Sequence, residues 1–188
     1  MEHLKNYMKN IYKVTDSDWD LVKESVHTDQ IGHGEYFLRD GQVCHWLGFI
    51  EKGVMRYLTF SGSGKELTCN FASEDEFIGE AESFFQRKPC YLNLQAITDC
   101  TIATIGYDDF KNIIAKFPLF LKISEDISYR TVVGLLNKKN FPPGSSATAK
   151  YRQFVQQYPQ IIQKVPLGMI ASYLEITQQS LSRIRKQI

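Results

Sequence analysis

Residues 167–186 read LGMIASYLEITQQSLSRIRK, and the spacing within them sets the architecture. Counting from Leu167, small Ala171 falls at the fifth place. Apolar Ile170, Leu174, Ile176, Leu181 and Ile184 fall at the fourth, eighth, tenth, fifteenth and eighteenth. Two short helices that cross steeply bury the fourth, eighth, fifteenth and eighteenth side chains between them, and close approach needs a small residue at the fifth. The stretch therefore predicts a helix-turn-helix, with Thr177 as the cap of its second helix. Glu175 stands where such a turn usually carries Gly, so it must turn left-handed or change the turn. The second helix presents Gln178, Gln179, Ser182, Arg183 and Lys186 on its exposed face, without a carboxylate. Gln pairs bidentately with adenine and Arg with guanine, so this face suits the major groove of duplex DNA.

Working back along the chain, Ser146 is placed to cap a helix with Tyr151, Phe154, Val155 and Tyr158 on one apolar stripe, ended by Pro159. FPPGSS, residues 141–146, breaks the helix before it and marks a boundary. That earlier helix, 118–140, carries Leu119, Ile123, Ile127, Val132, Val133, Leu135 and Leu136. It is about 35 Å long at 1.5 Å per residue, and its stripe must be buried. Packing on its own domain and pairing with a second copy fit the imperfect heptad equally. Residues 107–116 form a shorter helix. From about 30 to 105 the chain breaks into the apolar runs EYFL, WLGFI, VMRYLTF, KELTCNF, YLNLQAIT and CTIATI, punctuated by glycine. Such runs predict a small antiparallel barrel or jelly roll. SGSGKEL, residues 61–67, lacks the spacing of a phosphate loop and reads as a hairpin turn. At the N-terminus Leu4, Met8 and Ile11 recur at helical spacing, and Thr15 with Asp18 makes a capping box.

The 188 residues are 43% hydrophobic and 23% charged, which excludes disorder, collagen-like repeats and a disulfide miniprotein. The net charge of +1 is unevenly spread: residues 141–188 hold six Lys and Arg against one acid, and residues 1–140 hold 16 against 20. A basic C-terminal quarter points toward nucleic acid. No apolar run suits a signal peptide or a membrane span, so the expected compartment is the cytoplasm, with no membrane partner. Cys44, Cys69, Cys90 and Cys100 form no CxxC pair and read as free thiols, and His3, His27, His33 and His45 are scattered, so no metal site is expected. An enzyme is disfavoured. A cupin-like metal pocket needs a third histidine beside His33 and His45, and no nucleophile triad is recognisable.

GEYFLRDGQ, FIEKGVMRYLTFSGSGKEL, FIGEAESFFQRKP and VPLGMIASYLEITQQSLSRIRKQI follow one another in the order found in the Crp/Fnr family of bacterial transcription regulators. The chain resembles that family over nearly its full length, and its ending is similar to the compact Bacteroidetes-type members. The resemblance implies an α+β fold: a double-stranded β-helix jelly roll with N-terminal helices at 1–116, a long dimerisation helix at 117–140, and a winged helix-turn-helix at 141–188. It also implies a homodimer on a palindromic operator, with RNA polymerase as a further partner. Two recognition helices would then enter successive major grooves about 34 Å apart.

By position Gln178, Gln179 and Arg183, joined by Ser182, match the family's base-reading places, while Ser172, Thr177, Arg185 and Lys186 would serve phosphates. A small-molecule effector would sit near Gly79, Glu80 and Ala81, where cyclic-nucleotide-binding members hold ribose and phosphate. Their phosphate-binding Arg and its hydroxyl neighbour fall on Cys90 and Tyr91. With Arg87 and Lys88 the only cations nearby, cyclic AMP is disfavoured, and no cofactor is assigned. No cysteine precedes Cys44, which disfavours an N-terminal iron–sulfur sensor. A ligand-binding or adaptor module with vestigial DNA binding remains the alternative.

Overall fold

The glycine-punctuated segment pairs into two four-stranded antiparallel sheets facing one another. The computed structural model describes residues 1–138 and 141–187, with the backbone alone at 135, 137 and 138. One sheet runs β1 (Val26–Ile31), β8 (Cys100–Gly106), β3 (Trp46–Lys52), β6 (Phe77–Ile78); the other runs β2 (Tyr36–Leu38), β7 (Asn93–Ala96), β4 (Val54–Phe60), β5 (Glu66–Ser73). The six apolar runs are β2, β3, β4, β5, β7 and β8. Sequence reading missed β1, whose residues after Val26 are mostly exposed and polar, and two-residue β6.

Alternation along the strands sorts side chains into separate cores. On β3 and β8, Ile50 and Ile102 point between the sheets, while Phe49 and Ala103 point outward beneath the helices. Those helices are α1 (Glu2–Tyr12), α2 (Asp16–Asp20), α4 (Tyr107–Lys116) and α5 (Pro118–Lys138). Leu4 and Met8 of α1 and Phe120 and Ile123 of α5 complete this outer core. Ile11, placed on the same stripe by spacing, is 45% exposed. Thr15 and Asp18 form the expected capping box at α2. The hairpin between β4 and β5 closes with Ser61 N donating to Lys65 O at 2.9 Å. Gly53 joins β3 to β4 at φ 108, and an added Cβ would come within 2.7 Å of Asp99 O, so only glycine fits there.

Beyond the roll, α6 (Ala147–Gln157), α7 (Leu167–Leu174) and α8 (Gln178–Gln187) form the C-terminal head. Ser146 caps α6, its Oγ accepting from Ala149 N at 3.2 Å. The long helix is described as far as Lys138; residues 139 and 140, which sequence assigned to its end, lie outside the described residues. A correction concerns the wing. Among the described residues every strand precedes Tyr107, and 178–187 continues as helix, since QQSLSRIRKQ contains no Gly or Pro to end it.

Candidate nucleic-acid interface and effector groove

The head is built as its spacing requires. Ile170, Ala171, Leu174, Leu181 and Ile184 are buried between α6, α7 and α8. Glu175 takes the left-handed conformation at φ 58 and ψ 42, and Ile176 N donates to Ala171 O at 3.0 Å, closing α7 as a glycine would. Thr177 Oγ1 accepts from Ser180 N at 3.1 Å and starts α8. Gln178, Gln179, Arg183, Arg185 and Lys186 are exposed, and Ser182 is half-buried. Gln179, Arg183 and Lys186 follow one another at helical spacing, with the positive end of the helix dipole beneath the glutamines.

Ser172 departs from expectation. Its Oγ accepts from Thr68 N of β5 at 3.0 Å and faces Glu66 O at 3.5 Å, so it is not free for a phosphate in this arrangement. The reason is the sheet edge: β5 is the outermost strand, and α7 covers it, giving Thr68 N–H the partner an edge strand lacks. The same docking buries Phe71 completely, with its ring 5.8 Å from Phe154, 5.9 Å from Tyr158 and 5.4 Å from Tyr173. Tyr158 OH donates to Asn70 Oδ1 at 2.9 Å, and burial pushes this hydroxyl well above the usual tyrosine range. Lys164 pairs with Glu74 at 3.4 Å. Sequence reading missed this seam, because Phe71 and Tyr158 each look like members of a local core. The polar Asn70 inside an apolar run was the available signal.

Gly79, Glu80 and Ala81 line a groove between the roll, α1 and α5. Glu80 ends its strand connection as the cap of α3 (Ala81–Gln86): its carboxylate accepts from Glu82 N at 3.3 Å and Ser83 N at 2.6 Å. Two of the first amides of α3 are thus already satisfied from within. Ser83 is buried, accepting from Cys44 N at 2.8 Å and donating to Lys88 O. Tyr57 OH lies 3.4 Å from both Gly79 O and Gly79 N, and burial raises its pKa.

The other four effector candidates lie elsewhere. Arg87 ends α3 in the left-handed region and turns away from the groove: it donates to Cys44 O at 2.8 Å, stacks 4.5 Å from the Tyr107 ring centroid, and meets His45 Nδ1 at 2.7 Å. Guanidinium only donates, so His45 Nδ1 accepts there. Lys88 is exposed, Cys90 is buried in the inter-sheet core, and Tyr91 is 84% exposed. Burial also raises the pKa of the Cys44 and Cys100 thiols, while Cys69 is exposed.

The architecture is a two-sheet roll carrying a helix-turn-helix head. Residues 29–117 match the cyclic nucleotide-binding domain family. The chain is 24% identical over 120 residues to the cAMP-activated global transcriptional regulator CRP of Salmonella typhimurium, covering 63% of this chain and 57% of that one. It thus spans 44% to 57% of the length of the curated relatives it matches. Among solved structures, FixK2 from Bradyrhizobium japonicum superposes with a TM-score of 0.74 at 11% identity, over 86% of this chain and 83% of that one. A structure assigned to the Crp/Fnr transcriptional regulators, from Eubacterium rectale, gives 0.69 at 15% identity, over 97% and 87%. The chain is similar in sequence to CRP and in fold to regulators of the Crp/Fnr family. Among the described residues, no helix is long and apolar enough to cross a membrane.

Proposed function

We propose that this protein is a DNA-binding transcription regulator that acts as a homodimer on a palindromic operator, under the control of a small molecule bound in the groove. The observation that carries this reading is the exposed, acid-free face of α8 on a helix-turn-helix docked to a ligand-binding roll. A second observation supports the dimer. On α5, Tyr129, Val132, Val133 and Leu136 are 69%, 56%, 36% and 70% exposed at i, i+3, i+4 and i+7, the spacing of a coiled-coil seam. The inward side of the same helix, Phe120 and Ile123, is already buried on the roll, so the outward stripe calls for a partner.

In this reading Gln178, Gln179, Ser182 and Arg183 read bases, and Thr177, Arg185 and Lys186 hold phosphates. Ser172 joins them only if the head leaves β5. Selection of random duplexes at two salt concentrations tests the assignment: a two-fold symmetric site whose affinity falls as salt rises is expected. Absence of any enriched duplex overturns it. Arg183→Ala should cost about 1–3 kcal/mol and relax preference at one base step, whereas Lys186→Ala should weaken all sequences alike. Equal loss on every duplex moves Arg183 to the phosphate class.

Cyclic AMP is not the ligand in this reading. Glu80 occupies the α3 amides, and Arg87 is held by Cys44 O, His45 and Tyr107. Calorimetric titration with cyclic AMP should show no micromolar binding; a micromolar isotherm would overturn this.

A further inference from the structure

We infer that the groove is a site for an apolar small molecule without an anionic group, uncharged or cationic, in place of a nucleotide. The inference rests on reading the groove as the effector site and concerns only the chemistry of its occupant. The cavity measures about 710 Å³, within the size range of small-molecule sites. Its floor is aromatic: the Tyr7 ring lies 5.0 Å from Phe49 and 5.8 Å from Phe77, and Phe49 lies 5.0 Å from Phe77. Leucine, isoleucine and phenylalanine side chains from the roll, α4 and α5 add to the apolar wall, beside the hydroxyls of Ser124, Ser128 and Thr131.

Charge decides what enters. Among the described residues, Asp75, Glu76 and Glu80 line the cavity against one Lys or Arg, Arg130, with Asp75 also facing His3 Nε2 at 2.7 Å. Arg130 is paired within its own helix, its Nε donating to Asp126 Oδ2 at 2.5 Å, and the same carboxylate accepts from Tyr12 OH at 2.9 Å, so Asp126 offsets the charge of Arg130. A buried anion here would lie among like charges in a low-dielectric wall, with Glu80 already holding the Glu82 and Ser83 amides that could offset its lost hydration. Apolar groups lose nothing of this kind, and a cation gains from the acids and from the aromatic faces.

Two fluorescent probes that share one skeleton isolate the charge. N-phenyl-1-naphthylamine is uncharged, and 8-anilinonaphthalene-1-sulfonate is the same body with a sulfonate. The uncharged probe should bind the full chain at least about tenfold more tightly, a difference of about 1.4 kcal/mol, and cyclic AMP should not displace it. The double substitution Asp75→Asn with Glu76→Gln should narrow the gap by favouring the sulfonate. Ile127→Trp fills the cavity and should abolish the signal, with Thr131→Phe as the second variant should the first fail to fold.

Equal or tighter binding of the sulfonate overturns the inference, as does displacement by cyclic AMP, signal that survives both filling substitutions, or no probe binding. Loss of the probe as the protein self-associates would give the groove to a second copy and also overturn it. Failure of duplex selection with probe binding intact strikes the regulator reading alone. Failure of the probe with an operator in hand strikes this inference alone.

Discussion

The pair Val133→Asp and Leu136→Asp on α5 is expected to turn the protein into a monomer and to lower operator affinity by at least about a hundredfold, or 2.7 kcal/mol. Both positions lie on the outward stripe of the helix, and neither lines the groove. Two-fold symmetry doubles the effect, because each substituted side chain meets its own copy across the axis, so four carboxylates would enter one apolar seam. Burying even one unpaired charge is costly enough that the seam opens instead. Each remaining monomer would still reach one half-site, with the loss of the second half-site read as the affinity drop. Light scattering that gives the same mass for the double variant and the parent would remove the dimer from the proposal. Because the stripe is exposed in the single chain, the folded monomer should survive, and circular dichroism should show unchanged helix content.

Phe71→Ala is the second substitution with a large effect. Phe71 is fully buried and touches three aromatic rings of the head, so its truncation leaves a cavity where α6, α7 and β5 meet. Large-to-small aromatic substitutions of this kind cost about 3–5 kcal/mol. That is a large share of the roughly 5–15 kcal/mol that holds a domain together. Denaturant unfolding of the parent is expected to be one transition, and Phe71→Ala is expected to separate the head from the roll as two. Tyr158→Phe, by contrast, removes one hydroxyl and leaves Asn70 Oδ1 without that donor, a loss of about 1–3 kcal/mol. A Phe71→Ala protein as stable as the parent would mean that the head is held by its own core and not by the roll. If head position governs DNA binding, both variants should also shift operator affinity, and the shift should scale with the loss of docking.

Most of the local structure was legible in the residues. The helix-turn-helix follows from five apolar positions and one alanine, because two crossing helices leave no other spacing that buries both stripes. Ser146, Thr177 and the Thr15–Asp18 pair cap the helices that they were expected to cap, since a cap needs only its own neighbours. At Glu175 the sequence left two outcomes, a left-handed residue or a changed turn, and the structure takes the first. The strands that sequence missed, β1 and β6, carry too little apolar alternation to be seen, and pairing with β8 and β3 is what makes them strands.

The sites were less legible, for a different reason. Arg87 and Lys88 stand next to the effector cassette in sequence, yet a left-handed residue at 87 ends α3 and sends the guanidinium to His45 and Tyr107. Ser172 looks like a phosphate contact on an exposed helix until α7 is laid along the edge of β5. Glu80 looks like an effector contact until its carboxylate closes on the Glu82 and Ser83 amides of the helix it caps. Periodicity, caps and turns are properties of a few neighbouring residues and can be read along the chain. Which way a long side chain swings, and which surface a helix covers, depends on groups up to a hundred residues away, and these meet only when the sheets close and the head docks.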